Sequence, residues 1–257
     1  MLQLHNIRAQ SAPLLICLLI VGTLQASVGQ AELADPTKRA LYLSETLPNQ
    51  TLKERLQSCA LGDFYPTDFS IAHRGAPLGY PEHSREGYVA AAEQGAGVIE
   101  CDVTFTQDLA LVCRHSQCDL ATTTNILQTP LAAKCSKPFR PANGQQPASA
   151  TCCTTDISLA EFKTLCARPD QSNKKAKTVA QYLAPLRSPV VSKPLACGTL
   201  MTHAQSIELI DAVGRKFAPE LKRPMVDMPF APGFTQAAYA DKLLAEYRAA
   251  GIDPSRV

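Results

Sequence analysis

Four strand-like runs alternate with helical segments along this chain, and that alternation limits the possible folds more than any other feature. Strands that alternate with helices favour a parallel α/β fold, in which polar residues at the strand ends meet at one edge of the sheet. The fourth run is the weakest, because Pro219 interrupts it. The runs are FSIAH (69–73), GVIECDV (97–103), LALVCRH (109–115) and KFAPELK (216–222).

Capping signals predict the helices. Ser84 is placed as an N-cap for REGYVAAAEQ, and SLAEFKTL opens with a Ser158-x-x-Glu161 capping box. A Thr-x-x-Gln box starts THAQSIELIDAVG (202–214). The last segment, TQAAYADKLLAEYRAAG (235–251), places two tyrosines and a leucine on one helical face: Tyr239, Leu243 and Tyr247.

The composition is that of a soluble protein with a substantial apolar core. Of 257 residues, 46% are hydrophobic and 19% are charged, which suits one large domain or two modest ones. A net charge of +2 gives no reason to expect a nucleic-acid partner. Residues 32–68 are predicted to form a polar lead-in with a helix near TLKERLQSCAL.

The N-terminus predicts export. Arg8 precedes an apolar run at residues 12–24, and small residues follow in QASVGQA, the pattern of a secretory signal peptide. We predict a leader over residues 1–31, with cleavage after Ala31 or, alternatively, Ala26. An uncleaved anchor is less favoured, because the run is shorter than the roughly 20 residues that span a bilayer. The mature protein is therefore expected to be secreted or periplasmic, with no stable membrane span.

Cysteine usage agrees with an oxidising compartment. The chain has ten cysteines, and removal of Cys17 with the leader leaves nine, which predicts disulfides and one thiol that is free or paired between chains. A structural zinc site is disfavoured because the chain has no CxxC pair. Six of the nine lie in residues 116–200, a stretch too long for an ordinary loop. We interpret that stretch as a disulfide-stapled insertion over one end of the sheet.

Titratable residues lie near the ends of all four runs, so a parallel sheet would gather them at one edge. Glu100 and Asp102 are two residues apart and point to the same side of their strand. With Glu220 they make three hard oxygen ligands for Mg²⁺ or Ca²⁺. His73 and His115 end the flanking runs, as a general acid and a general base for displacement at phosphorus require.

Further residues have less specific patterns. Arg74 offers a forked donor for phosphate oxygens, although a surface salt bridge is the alternative. Lys222 shares a strand face with Glu220 and is equally compatible with a phosphate contact and a solvated lysine. Glu82 follows a loop rich in glycine and proline and is a candidate for the metal or for substrate hydroxyls. We interpret His83 as structural and His203 as a helix-start residue.

The stretch AHRGAPLGYPEHSREGYVAAAEQGAGVIECDVTFTQDLALVCRH resembles the signature of the glycerophosphodiester phosphodiesterases. In that family an HRG strand end, a PE-N/H-T/S loop, an E-x-D strand and a second histidine follow in this order. The resemblance implies a TIM (β/α)₈ barrel with an insertion after the third strand. It also implies hydrolysis of glycerophosphodiesters to sn-glycerol 3-phosphate and an alcohol, assisted by one divalent cation.

The resemblance also implies roles for individual residues. His73 and His115 become the acid/base pair, and Arg74 becomes the phosphate contact, with Glu82 close to substrate or metal. The implied metal ligands are Glu100, Asp102 and Glu220.

A full barrel needs eight strands and this sequence offers four, so we expect about the first half of a barrel, over residues 69–257. The first and fourth strands would then be open edges with uncovered apolar faces. Two alternatives remain at this point. One is a related barrel acting on phosphoinositide or sphingomyelin head groups, and the other is an inactive half-barrel.

Overall fold

A computed structural model of the protein describes residues 36–62, 65–75, 79–184, 195 and 197–257. The predicted leader, residues 1–31, lies outside the described residues. The α-helices are α1 Pro36–Glu45, α2 Gln50–Ser58, α3 Arg85–Glu93, α4 Leu120–Thr123, α5 Leu159–Phe162, α6 Val179–Tyr182, α7 His203–Ala212 and α8 Gln236–Ala249. The strands are β1 Thr67–Ala72, β2 Ala96–Phe105, β3 Leu111–Cys113, β4 Lys137–Arg140, β5 Ser149–Thr151, β6 Cys166–Ala167, β7 Gly198–Thr199 and β8 Lys216–Leu221.

The capping predictions are confirmed. Ser84 accepts a hydrogen bond from the Gly87 amide at the start of α3, and Ser158 and Glu161 form the capping box of α5. Thr202 begins α7 with the expected box. Tyr239, Leu243 and Tyr247 form the buried face of α8. Local side-chain chemistry therefore fixes where these helices begin.

Strand β2 is the centre of the main sheet. Strand β1 pairs with it in parallel near Ala72 and Ile99, and β8 pairs with it in parallel on the other side. Pro219 does not end β8, which continues to Leu221. Proline is tolerated here because β8 has a single neighbour among the described strands. The fold is mixed α/β, and the strands in the described ranges do not close into a barrel.

The third run does not form a parallel strand, so that expectation was wrong. Strand β3 is antiparallel to β2, with Val103 opposite Cys113 and Phe105 opposite Leu111. Only residues 106–110 connect the two strands, whereas a parallel crossover needs about a dozen residues. The described sheet therefore has three parallel strands and one antiparallel hairpin strand, and the insertion follows that hairpin.

Strand β1 lies at an edge of the described sheet and is exposed along its length. Phe69 is 96% exposed and Ile71 is 57% exposed. Both are large apolar side chains for which the described residues provide no cover. For the first strand this agrees with the expectation of an uncovered apolar face. In the fourth, β8, Phe217 is buried in the core instead.

The described residues contain two apolar cores. The first lies between the sheet and helices α3, α7 and α8, and includes Ile99, Phe105, Phe217 and Tyr239. The second lies within the insertion. The insertion meets the sheet at the end of β2, where Thr154 donates a hydrogen bond to the Phe105 carbonyl.

Disulfides connect the segments as the cysteine count suggested. Three bonds lie within the insertion, and a fourth joins β2 to β3 in the sheet. Cys59 is the free thiol of the described part, which matches the expectation of one unpaired cysteine. The bonds are Cys101–Cys113, Cys118–Cys153, Cys135–Cys152 and Cys166–Cys197.

Candidate active site

Three carboxylates meet on one face of the sheet. Glu100 and Asp102 project to the same side of β2, while Cys101 between them is buried in the core on the other side. The parallel register of β8 places Glu220 opposite Asp102. One oxygen from each carboxylate lies within 4.8 Å of the others. The predicted convergence of these three residues is therefore present.

Asp102 is the buried member of this cluster. Its side chain has no exposed surface, and its Oδ2 accepts a hydrogen bond from His83 Nε2 at 2.8 Å. Burial would raise the pKa of this carboxyl, but the hydrogen bond from His83 and the nearby Lys222 ammonium outweigh burial and lower it to about 2. Asp102 is therefore ionised at neutral pH.

The cluster has the donor set for a hard divalent cation. Asp102 Oδ1 is buried and has no hydrogen-bond partner among the described residues. An ionised oxygen that accepts no hydrogen bond is costly to bury, and a bound cation would add to the charge compensation from Lys222 Nζ, 3.7 Å away. Three carboxylate oxygens on rigid strands suit Mg²⁺ or Ca²⁺, with water or substrate completing the coordination. Glu100, Asp102 and Glu220 therefore fit a metal site.

The turn after β1 brings His73 and Arg74 to the carboxylates. Arg74 has a positive φ of 58°, and its backbone N–H donates to a carboxylate oxygen of Glu100. His73 Nε2 lies 3.9 Å from Glu100 Oε2, and its side chain is 73% exposed. Gly75 is required in this turn, because a Cβ there would lie 1.9 Å from the ring of Tyr88. The His-Arg-Gly turn thus places an accessible imidazole beside the acidic cluster.

The side chain of Arg74 joins two other predicted residues. Its Nη1 donates to Glu82 Oε2 at 2.7 Å, and its Nη2 donates to His115 Nε2 at 2.9 Å. His115 therefore accepts at Nε2 in this arrangement. The Arg74 Nε is buried without a partner among the described residues. The surface salt bridge considered as an alternative for Arg74 does not describe this contact, because Glu82 is buried.

His115 reaches the site by a different route from the one predicted. The short hairpin turns the chain back along β2, and the Arg114 amide donates to the Asp102 carbonyl at 2.7 Å. His115 therefore lies level with the carboxylates rather than at the end of a parallel strand. His115 contacts Arg74 and borders the depression beside the cluster, although the predicted strand direction was wrong.

Lys222 belongs to the acidic cluster rather than to open solvent. Its Nζ lies 2.6 Å from Glu220 Oε1 and 3.7 Å from Asp102 Oδ1. Burial lowers its pKa, but the hydrogen bond to Glu220 and the neighbouring carboxylate outweigh burial and raise it. Lys222, His115 and Arg223 border a depression of about 600 Å³. The depression therefore borders the acidic cluster through Lys222, which lines it.

His83 lies at the acidic cluster, whereas His203 lies away from it. His83 is completely buried and links the Tyr88 hydroxyl at 3.1 Å to Asp102, so it holds a candidate metal ligand. The sequence offered one signal for this role, since His83 directly follows Glu82 in the PEHS phrase. His203 is the first residue of α7 and pairs with Glu246, away from the cluster, as expected of a helix-start residue.

A sequence model of one family matches most of this chain. It is described as the glycerophosphoryl diester phosphodiesterase family, and the match covers residues 73–248. The matched range includes all eight predicted site residues and the insertion.

Curated relatives match shorter stretches. An extracellular protein of Arthroderma benhamiae is 42% identical over 91 residues, which are 34% of this chain and 36% of that protein. A probable glycerophosphodiester phosphodiesterase 1 of Mycobacterium tuberculosis is 47% identical over 49 residues, 19% of this chain and 18% of its own. The chain thus spans well under two thirds of the length of these relatives.

Solved structures give a weaker likeness. A glycerophosphoryl diester phosphodiesterase structure from Silicibacter pomeroyi has a TM-score of 0.48 and 18% identity, over 75% of this chain and 56% of that one. A phosphodiesterase from Oleispira antarctica, solved with the product sn-glycerol-3-phosphate, has a TM-score of 0.39 and 23% identity, over 68% of this chain and 51% of that one. At these TM-scores neither likeness bears on the fold.

Two observations concern the compartment. The extracellular relative and the four disulfides fit a secreted protein. In the ranges that the structure describes, every helix is too short or too polar to cross a bilayer.

Proposed function

The chain belongs to the glycerophosphoryl diester phosphodiesterase family, and on that premise we propose that it hydrolyses glycerophosphodiesters to sn-glycerol 3-phosphate and an alcohol. One observation carries the proposal beyond family membership. Two histidines and an arginine surround three convergent carboxylates, beside a depression open to solvent.

Phosphodiester hydrolysis forms one P–O bond and breaks another. We assign His73 and His115 to the two proton transfers, one accepting the proton of the attacking hydroxyl and the other donating to the leaving alcohol oxygen. The contact between His115 Nε2 and Arg74 supports a neutral imidazole at that position before the reaction. The order of the two histidines, and the choice of water or a substrate hydroxyl as nucleophile, remain alternatives.

Cations of the chain would bind the phosphate. Arg74 would donate to its nonbridging oxygens through the Nη hydrogens that Glu82 and His115 do not use. Lys222 would add positive charge from the opposite strand. Glu82 would act on the substrate through Arg74, because it is buried and already holds Nη1.

The three carboxylates would hold one Ca²⁺ or Mg²⁺. When bound, the ion supplies positive charge to phosphate oxygens, which stabilises charge that develops in the transition state. Asp102 is suited to its ligand role because it is ionised and its Oδ1 accepts no hydrogen bond from the described residues. His83 fixes the other oxygen and so sets the direction of the free one.

Fold and location follow from the same premise. The three parallel strands would be strands of a TIM barrel, with catalytic groups at one face as that fold requires. Residues 116–200 would be a cap inserted into the 69–257 barrel region, after the 32–68 lead-in. Residues 1–31 would direct secretion or periplasmic export, so the partner is a small glycerophosphodiester outside the cytoplasm.

The test is a product analysis. The purified protein, supplied with Ca²⁺ or Mg²⁺ and glycerophosphocholine, is expected to give sn-glycerol 3-phosphate in the phosphorus NMR spectrum. A stable cyclic phosphate as the end product would instead favour the head-group-specific alternative. No turnover of any glycerophosphodiester with either ion would refute the proposal.

A further inference from the structure

The largest fully buried side chain in the described protein is a charged one. Arg114 follows β3 directly, and its side chain has no exposed surface. A guanidinium removed from water is strongly destabilising unless its donors find acceptors. A neutral side chain of similar volume would fill this space at lower cost, so the charge itself needs an explanation.

The contacts of Arg114 supply one. Its Nη2 lies 3.1 Å from Glu82 Oε1, and its Nη1 donates to the Glu82 backbone carbonyl at 3.3 Å. On its other side, Nε lies 3.4 Å from Asp119 Oδ1. Arg114 therefore holds both the backbone and the side chain of Glu82.

Glu82 is in turn shared between two arginines. Oε1 faces Arg114 and Oε2 accepts from Arg74 Nη1, so both carboxylate oxygens are engaged. Burial would raise the pKa of Glu82, but Arg114 and the hydrogen bond from Arg74 outweigh burial and lower it. The Glu82 carboxylate is therefore held by contacts at both oxygens and cannot shift together with Arg74.

Asp119 anchors the far end of this chain of contacts. Its Oδ2 accepts from the Ser116 amide at 2.9 Å, and its Oδ1 accepts from the Thr123 hydroxyl at 3.2 Å. Asp119 precedes α4 in the insertion, next to the disulfide of Cys118. The contacts therefore run from the stapled insertion to the guanidinium assigned to the phosphate.

We propose that Arg114 is a positioning residue, which fixes Glu82 so that Glu82 holds the Arg74 guanidinium in the orientation that binds the substrate phosphate. This inference rests on the proposed function. It predicts that loss of Arg114 acts on phosphate binding only through Arg74. A merely structural arginine would instead lower stability without changing substrate affinity.

The experiment is a double-mutant cycle between Arg114→Met and Arg74→Ala, with KM for glycerophosphocholine and the dissociation constant for sn-glycerol 3-phosphate as readouts. Arg114→Met alone is expected to weaken both by roughly 10- to 100-fold, since a displaced charged donor loses its contact with phosphate. In the Arg74→Ala background, Arg114→Met is expected to weaken KM and product affinity further by less than about twofold, because the two residues act through the same series of contacts.

Two further variants separate positioning from folding. Arg114→Lys keeps the charge but reaches fewer partners, and is expected to restore part of the affinity. Arg215→Met is the matched control, because Arg215 is a partly buried arginine that bonds the Ala92 carbonyl away from the site. It is expected to lower the melting temperature with KM unchanged.

Each outcome decides the inference. Unchanged KM and product affinity in folded Arg114→Met would overturn it, as would equal losses in Arg114→Met and Arg215→Met, or full additivity with Arg74→Ala. If Arg114→Met does not fold, Arg114→Lys carries the same cycle. Absence of turnover in the wild type with Arg114-dependent product binding would refute the proposed function alone. Absence of both turnover and binding would refute both.

Discussion

The sheet and the insertion are stabilised by different interactions. The sheet has strands of up to ten residues, three long helices against one face and a single disulfide. The insertion has α-helices of four residues and strands of two to four. It carries three disulfides around its own apolar cluster. Regular pairing holds the sheet, whereas covalent bonds hold the insertion.

The candidate site residues and the insertion occupy different parts of the molecule. All eight candidate site residues lie in the sheet, its turns or the loop before α3. The insertion acts on them through Asp119, which contacts Arg114, and through the charge of Asp170 on Arg74. We therefore expect changes at the sheet edge to reduce catalysis. Changes in the insertion away from Asp119 and Asp170 should reduce stability with catalysis preserved.

The largest effect is expected from the histidines. His73→Ala or His115→Ala should lower kcat by about 10²- to 10⁴-fold, because each removes one proton transfer. The assay is release of sn-glycerol 3-phosphate, with circular dichroism to confirm folding. His203→Gln is the control, since His203 pairs with Glu246 away from the site and its loss should affect stability alone. A fully active His115→Ala would remove that residue from the mechanism.

The disulfides offer a matched pair across the two regions. Cys135 and Cys152 are 17 residues apart in the insertion, and Cys101 and Cys113 are 12 apart in the sheet, so the entropy of closing each loop is similar. Replacing either pair with alanine should lower the free energy of unfolding by about 3 kcal/mol.

The two pairs should differ in activity. Loss of the sheet bond should also lower kcat/KM, because that bond joins the strand of the carboxylates to the strand that leads to His115. Loss of the insertion bond should leave kcat/KM within about twofold. Urea unfolding and steady-state kinetics measure both. Equal catalytic losses in the two variants would show that the regions are not separable in this way.

A variant of His83 tests whether this buried side chain supports cation binding by the carboxylates. His83→Ala removes the hydrogen bond to Asp102 Oδ2, and should weaken binding of Ca²⁺ or Mg²⁺ by roughly 10- to 100-fold. Isothermal titration with the cation measures this. Tyr88→Phe is the companion variant, since it removes only the hydroxyl at the other ring nitrogen and should have a smaller effect. Unchanged cation affinity in His83→Ala would reduce His83 to a packing residue.

The smallest effect concerns a contact between the regions. Glu86 in α3 accepts hydrogen bonds from the amide and the hydroxyl of Thr199 in β7. Burial would raise its pKa, but these bonds outweigh burial and lower it from the usual 4.5. A lowered pKa means that its stabilisation is complete above pH 4.5 and is lost as the pH falls through the folded-state value.

Glu86→Gln should therefore be less stable than the wild type at pH 7, by less than about 1 kcal/mol because the carboxylate is partly exposed. The difference should shrink as the pH falls below 4.5. Urea unfolding across that range measures it. A difference that is constant with pH would mean that the charge of Glu86 plays no part in the contact.

Local patterns predicted the elements of the fold better than their directions. Ser84, Ser158 and Thr202 begin helices as expected, because a cap depends on residues three positions away. The direction of the third strand was predicted wrongly, because an apolar run has the same residue pattern whether its strand pairs in parallel or antiparallel. The connection of residues 106–110 was the available signal, since it is too short for a parallel crossover.

The site was predictable where chemistry depends on spacing along one strand. Glu100 and Asp102 share a face for that reason, and Glu220 joins them through strand register. The role of Arg114 was not predictable, because its partners come from a loop and from the insertion. No spacing rule relates those segments, and only folding brings them together.

The central claim is that Glu100, Asp102 and Glu220 form a cation site on which hydrolysis depends. The most direct measurement is the rate of sn-glycerol 3-phosphate release from glycerophosphocholine after EDTA treatment and after re-addition of Ca²⁺ or Mg²⁺. The account predicts loss of activity with EDTA and recovery with the cation in the wild type, and no recovery in Asp102→Asn. Robust turnover that chelation does not change, or a fully active Asp102→Asn, would contradict it.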